Sequence, residues 1–479
     1  MKKAFYCLLL TGLLAGGSIQ AQEQEAQAPA FATRLEQLVK NELPIGSNIG
    51  IYVYDLTDDR PLYDYQGDKL SRPASTMKLV TTITTLAQPK ADEPFRTEVW
   101  YRGEVRKNTL HGDLYVVGGM DPEFDDAAMD SLANVIARLP FKKIKGHLYG
   151  DVSLKDSIYW GAGWSWDDTP YYYQPYLTPL LLNKGVVDIT ATPSTQGKPA
   201  RVNVTPSSTF YTLTNETLSN DEAGGRFTAS RNWLENGNDL IVKGNVNKER
   251  TATVNIFNTS GEFFMHTLRE RLEARGMEFA EDGYAFAELP TDDASVPATV
   301  YETPVQKVVN QLMKESDNLN TEAMLVRLAY QSTGHRHVSA EDGLQAVRAQ
   351  IDSLGLDSEQ YNIADGCGLS NYNCISPRLL VTFLRFARQR ADIYPKLYQS
   401  LPIGGVDGTL EHRMKKGTPS YNNVHAKTGT ISGISCLAGY LTAANGHQLA
   451  FAIMNQNSLS SRAARNFQDK VCDTLIVGR

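Results

Sequence analysis

A chain of 479 residues, 42% hydrophobic and 21% charged, exceeds what one core supports and is too apolar for disorder, so two or three packed domains are expected. A formal net charge of −7 argues against nucleic acid and anionic lipid as electrostatic partners. Five cysteines in this length do not make a disulfide scaffold.

Lys2 and Lys3, an apolar run from Ala4 to Ala15 and small residues up to Ala21 read as a secretory signal peptide over residues 1–21. Cys7 falls inside that run; of the other four cysteines, Cys367 and Cys374 are the nearest pair, and their state is open. Residues 22–30 read as a flexible exported N-terminus, and Leu35, Leu38 and Val39 as a short amphipathic helix. Asn48–Asp55 and Leu62–Tyr65 form a hairpin around a polar turn.

Arg72-Pro73-Ala74-Ser75-Thr76-Met77-Lys78 then opens a helix. Three residues apart, the Ser75 hydroxyl and the Lys78 amine share a helical face. A neutral amine there can take the hydroxyl proton, and a helix start supplies backbone N–H groups for an oxyanion. Ser75 is the one serine in the chain with a lysine three residues on.

From Phe95 the pattern becomes strand-rich: Phe95–Tyr101, Glu104–Lys107 and Gly112–Val117 as separate strands, a helix over Asp126–Leu139, and a strand over Ile144–Val152. An aromatic loop follows, with Tyr159, Trp160, Trp164, Trp166, Asp167, Asp168 and Tyr171 to Tyr173, then strands to about residue 258 and a helix over Phe263–Arg275. Helices return at Val305–Lys314, Asn320–Gln331, Ala340–Leu354 and Pro377–Gln389. The chain closes with a strand from His425, a hairpin of Ser435–Thr442 and Gln448–Asn455 around Ala444-Asn445-Gly446, and an amphipathic helix over 461–477 that packs on that sheet.

Two further motifs stand downstream of Ser75. Ser316-Asp317-Asn318 lies between two helices; its hydroxyl can relay a proton to a leaving amine, and its carboxamide can orient a lysine. Lys427-Thr428-Gly429-Thr430 lies on a strand, with positive charge, hydroxyls of Thr428 and Thr430 on one face, and no side chain at Gly429 to keep a ligand backbone away. That set suits a substrate ending in a free carboxylate, with the Ser75 and Thr430 amides as an oxyanion hole. Alone, each motif is also an ordinary helix cap or turn; in the order S-x-x-K, S-D-N, K-T-G they are specific.

With PASTMKLVTT at 73–82, GGMDP at 118–122, GWSWDD at 163–168, KESDNLNTE at 314–322, DGCGLS at 365–370, LPIGGVDGTL at 401–410 and HAKTGT from 425, the chain resembles the class C low-molecular-mass penicillin-binding proteins, the D-alanyl-D-alanine carboxypeptidase/endopeptidase family of the bacterial cell envelope. The resemblance implies an α+β fold: a transpeptidase-like domain, an antiparallel sheet flanked by helices, split over 30–93 and 298–479. Within it, residues 94–297 would form two nested strand-rich domains. It implies Ser75 as acylated nucleophile, Lys78 as base, Ser316 and Asn318 as the second pair, and Lys427, Thr428, Gly429 and Thr430 as the carboxylate-binding strand. Asp168 matches an acidic position that would receive the free amino group of a diaminopimelate side chain.

The implied partners are peptidoglycan stem peptides and, as acylating inhibitors, β-lactams, in the periplasm, with no metal or other cofactor. One departure is Cys367, where relatives carry serine, which removes any role there that needs a hydroxyl; Asp365 and Ser370 are expected to shape the turn. The rival readings are a β-lactamase and a non-catalytic peptidoglycan-binding protein on the same fold. A metallopeptidase fits less well, since H-E-x-x-H is missing and His335 and His337 read as surface. Oligomeric state carries no signal.

Overall fold

The computed structural model describes residues 31–220 and 225–478; the signal-peptide reading of residues 1–21 and the N-terminal segment 22–30 lie outside the described residues. The described residues form two compact units, one built from residues up to Pro73 with 376–385 and 401 onward, the other from Ala74–Ile375 with Phe386–Ser400.

The first unit is organised by a five-stranded sheet in the order His425–Ile431, Ile434–Thr442, Gln448–Gln456, Asn48–Asp55, Arg60–Tyr65, antiparallel throughout. Alternation along the strands decides its two faces. Ile49, Ile51 and Val53 join Leu437, Phe451 and Ile453 in a core with Phe31, Leu35 and Val39 of the helix at 31–42 and Phe467, Val471 and Leu475 of the helix Ser461–Val477. Tyr52 and Tyr54 carry the guanidinium groups of Arg378 and Arg385 at 4.3 and 3.6 Å from their ring centres. The sheet is therefore flanked on both faces. The closing hairpin turns at Gly446, whose φ of 84° a residue with a Cβ adopts only under strain.

The second unit contains the helix Met77–Leu86, all ten residues of which are buried. It carries four threonines, and two of their hydroxyls are satisfied inside the helix, Thr84 donating to Val80 O and Thr85 to Thr81 O. The helices Val305–Lys314, Asn318–Thr333 and Ala340–Ser353 belong to the same unit. In the first of these, Val305, Val308, Val309, Leu312 and Met313 make the apolar stripe that fixes its orientation.

Strands between 95 and 303 form a seven-stranded mixed sheet and two three-stranded sheets over one core that includes the helices Asp126–Ile136 and Glu262–Glu273. Its first and last strands, Phe95–Arg106 and Ser295–Thr303, pair antiparallel from Phe95↔Thr303 to Ser295↔Arg102. The break expected near Gly103 does not occur. Phe95–Arg106 runs as one strand against Thr109–Gly118, and a Cβ on Gly103 would come within 2.3 Å of His111 O, so this glycine permits close strand approach rather than a turn. The expected strand Ile144–Val152 is two short ones, Lys143–Ile144 and Leu148–Asp151. The helix Tyr394–Ser400 escaped sequence reading because Leu397 is the one buried hydrophobic residue within its seven positions, too few to show a period. Cys367, Cys436 and Cys472 are buried free thiols. Among the described residues, no helix is long and apolar enough to cross a membrane.

Candidate functional site

Ser75 sits in a single 3-10 turn, Ala74–Thr76, that feeds the helix Met77–Leu86. Ala74 is left-handed at φ 46°, a conformation that costs an alanine about 1 kcal/mol and that Gly368 accommodates, since a Cβ there would lie 1.9 Å from Ala74 O. One turn on, Lys78 is fully buried, with Nζ 3.1 Å from Ser75 Oγ, 2.6 Å from Asn318 Oδ1 and 2.8 Å from Cys367 O. Burial pushes the Lys78 amine below the ordinary lysine range, against the opposing pull of Cys367, Asp365, Asp317 and Glu322. Two of its three neighbours are carbonyl oxygens that can only accept. A neutral amine satisfies both with its two N–H groups and directs its lone pair at the Ser75 hydroxyl.

Asn318 begins the helix Asn318–Thr333, capped by Asp317, whose side chain accepts from Asn320 N. Ser316 precedes it in the left-handed region, φ 62°. Asn318 Nδ2 donates to Tyr173 O at 2.5 Å, which orients its Oδ1 toward Lys78. Tyr173 in turn donates its hydroxyl to Asp168 Oδ1 at 2.7 Å and stacks on Tyr171 with rings 7° from parallel. Asp168 is thus linked through one tyrosine to the carboxamide beside Lys78, while Asp167 is exposed.

Lys184, from the strand-rich stretch, holds the turn from the other side. Its Nζ lies 2.5 Å from Glu123 Oε1, 2.9 Å from Asp317 Oδ2 and 2.7 Å from Asn320 Oδ1. Lys184→Met should take the ion pair from Asp317 and the closer of two from Glu123, which keeps Lys307 at 4.0 Å, and destabilise the protein by about 3 kcal/mol, read as a lowered Tm.

Lys427, Thr428, Gly429 and Thr430 fall in the first unit, on the edge strand His425–Ile431. Lys427 is buried and donates to Thr428 O at 2.8 Å. Thr428 Oγ1 donates to Thr409 Oγ1 at 2.7 Å, and the exposed Thr430 has the Arg465 guanidinium 3.5 Å from its hydroxyl. Lys427 and Gly429 are buried where Thr428 and Thr430 are at least part-exposed, as the two-residue period requires.

The model of the D-Ala-D-Ala carboxypeptidase 3 (S13) family matches residues 31–475. The chain belongs to that family. It is a class C low-molecular-mass penicillin-binding protein and a serine-type hydrolase. It is 29% identical to a D-alanyl-D-alanine carboxypeptidase of Actinomadura sp. (strain R39), covering 97% of this chain and 88% of that one. It is 26% identical to the D-alanyl-D-alanine carboxypeptidase DacB of Haemophilus influenzae, covering 88% of each. The crystal structure of penicillin binding protein 4 from Haemophilus influenzae superposes with a TM-score of 0.78 at 23% identity, over 92% of this chain and 99% of that one. A second structure of it is complexed with a β-lactam.

Two contributors to this family site, Glu322 and Tyr173, are not singled out by the sequence, and a third, Cys367, stands out there for its side chain and not for its carbonyl. Glu322 is fully buried and accepts from Gly366 N at 3.0 Å and Cys367 N at 2.8 Å; burial and the Asp365 charge push its carboxyl up to about 8. Its place four residues after Asn318, on the same helical face, was the available signal. Cys367 acts through its carbonyl, which any residue supplies, and its thiol lies 3.6 Å from Asp365 Oδ2. Tyr173 is one aromatic among many in its loop. Asp365 does shape the turn, accepting from Gly368 N, Ser370 N, Asn373 Nδ2 and Trp164 Nε1.

Proposed function

We propose that the protein is a D-Ala-D-Ala carboxypeptidase/endopeptidase that cleaves peptidoglycan stem peptides or cross-links through an acyl-enzyme on Ser75, and that β-lactams acylate the same hydroxyl. One observation carries this reading: a buried Lys78 amine 3.1 Å from Ser75 Oγ, its other neighbours being carbonyl oxygens. Ser75 Oγ attacks the carbonyl carbon of the penultimate D-Ala while Lys78 Nζ takes the hydroxyl proton. The Ser75 and Thr430 backbone N–H groups are assigned to the oxyanion. Collapse breaks the C–N bond, and the amine leaves with a proton from Lys78 or Ser316. Water then attacks the Ser75 ester and releases the shortened peptide.

Lys427, Thr428, Gly429 and Thr430 are assigned to the substrate carboxylate, on the strength of an edge strand with a buried cation and two outward hydroxyls. Asp168 is assigned to a free amino group on the peptide; its bond from Tyr173 supports this by fixing the carboxylate. The antiparallel pairing of Phe95–Arg106 with Ser295–Thr303 supports reading 94–297 as an insertion into a catalytic domain made of 30–93 and 298–479. The N-terminal lysines and apolar run support export to the periplasm.

Digestion of purified sacculi tests the activity. Separation of the products should show loss of terminal D-Ala or of cross-links, and mass spectrometry should show a long-lived penicilloyl adduct. Rapid hydrolysis of the antibiotic with sacculi left intact would instead establish a β-lactamase.

A further inference from the structure

Lys78 is aimed at Ser75 by two acceptors, and one of them, Cys367 O, belongs to a strap with no regular structure, residues 365–368. That strap is held at both sides. Thr81 on the nucleophile helix donates to Gly366 O at 2.7 Å, and Gly368 runs so close to Ala74 O that a Cβ there would lie 1.9 Å from it. On the opposite side a single side-chain atom, Glu322 Oε1, receives the N–H groups of both Gly366 and Cys367. Glu322 lies one helical turn after Asn318, which supplies the other acceptor for Lys78. A closed circuit results: Lys78 to Asn318, along one turn of helix to Glu322, across to Cys367, and back to Lys78.

We propose that Glu322 is a positioning residue for acylation: its carboxyl fixes the Gly366–Cys367 backbone so that the Cys367 carbonyl, together with Asn318 Oδ1, directs the Lys78 amine at the Ser75 hydroxyl. The inference rests on the acyl-enzyme reading above. Glu322 is not given a bond to substrate, so its effect is on the rate of the covalent step. Its function needs an acceptor oxygen at one position and no charge. That agrees with the direction in which burial shifts this carboxyl, toward the uncharged form. An unmade pair of backbone bonds would let the carbonyl swing away, and a misaimed base of this kind costs about a hundredfold in rate.

The test is the kinetics of acylation by a fluorescent penicillin, resolved into a limiting rate and a half-limiting concentration. Glu322→Leu should lower the limiting rate about a hundredfold and leave the concentration unchanged, while Glu322→Gln, whose amide oxygen accepts the same two N–H groups, should recover most of the rate. A folded Glu322→Leu protein that acylates like wild type overturns the proposal. So does a Gln variant as slow as the Leu variant, or a loss confined to the half-limiting concentration. If the Leu variant does not fold, Glu322→Asp decides: its carboxyl is one methylene short of the two amides and should slow the limiting rate at least tenfold, and an unchanged rate overturns the role. Ser75→Ala separates the two claims, because label that persists on it refutes the acyl-enzyme reading itself, independently of Glu322.

Discussion

Ser75→Ala should yield a folded protein that takes no penicilloyl adduct and releases D-Ala about a million-fold more slowly than wild type, the scale on which serine hydrolases lose rate with their nucleophile. The fold should survive because the hydroxyl caps no helix: the helix Met77–Leu86 has its cap at Thr76, and no side-chain cap bond is made. Lys78 keeps its two carbonyl acceptors in the variant, so the buried amine is not orphaned. Intact-mass spectrometry after penicillin treatment and a D-Ala release assay, beside a thermal melt, check all three expectations. Release at the wild-type rate would remove Ser75 from the mechanism.

Lys78→Met should lower the limiting acylation rate by about a thousandfold or more, within the range set by loss of a general base. The two side chains are alike in length, so packing around Ser75 is nearly kept, although Asn318 Oδ1 and Cys367 O each lose a donor. The pH profile separates base catalysis from packing. Only the neutral amine takes a proton, and the neutral form prevails above the pKa; since burial lowers that pKa, wild-type acylation should rise with pH and level off below the ordinary lysine value of about 10.4. The Met variant should be flat over the same range. Stopped-flow fluorescence makes the comparison, and a Met variant that keeps the same rise would mean that another group is the base.

What was legible in the sequence follows the range of the interactions involved. The hairpin at 48–65, the helix Val305–Lys314 and the hairpin around Gly446 follow from periods and turn residues within a dozen positions, and the structure has them there. Ser75 with Lys78 is equally local, a matter of three residues on one helical face. Asn318 entered through a motif and not through any pattern that places it beside Lys78. Tyr173 and Cys367 contribute backbone carbonyls, which leave no trace in residue type, and Glu322 looks like any acidic residue until its burial is seen. The break expected between Tyr101 and Glu104 fails for a related reason: a glycine that permits close strand approach, as Gly103 does, reads the same as one that permits a turn.

Two of the three groups around the Lys78 amine are 240 and 289 residues away along the chain. Closing loops of that size adds little to the entropic cost, since each doubling of length costs only about 0.6 kcal/mol, but such contacts form late because long stretches must first be ordered. A nascent or partly folded chain carries the S-x-x-K sequence in full and still lacks the circuit that makes its serine reactive. Penicillin labelling of Ser75 is therefore a gauge of folding as well as of activity: it counts the molecules in which these two long-range contacts have closed.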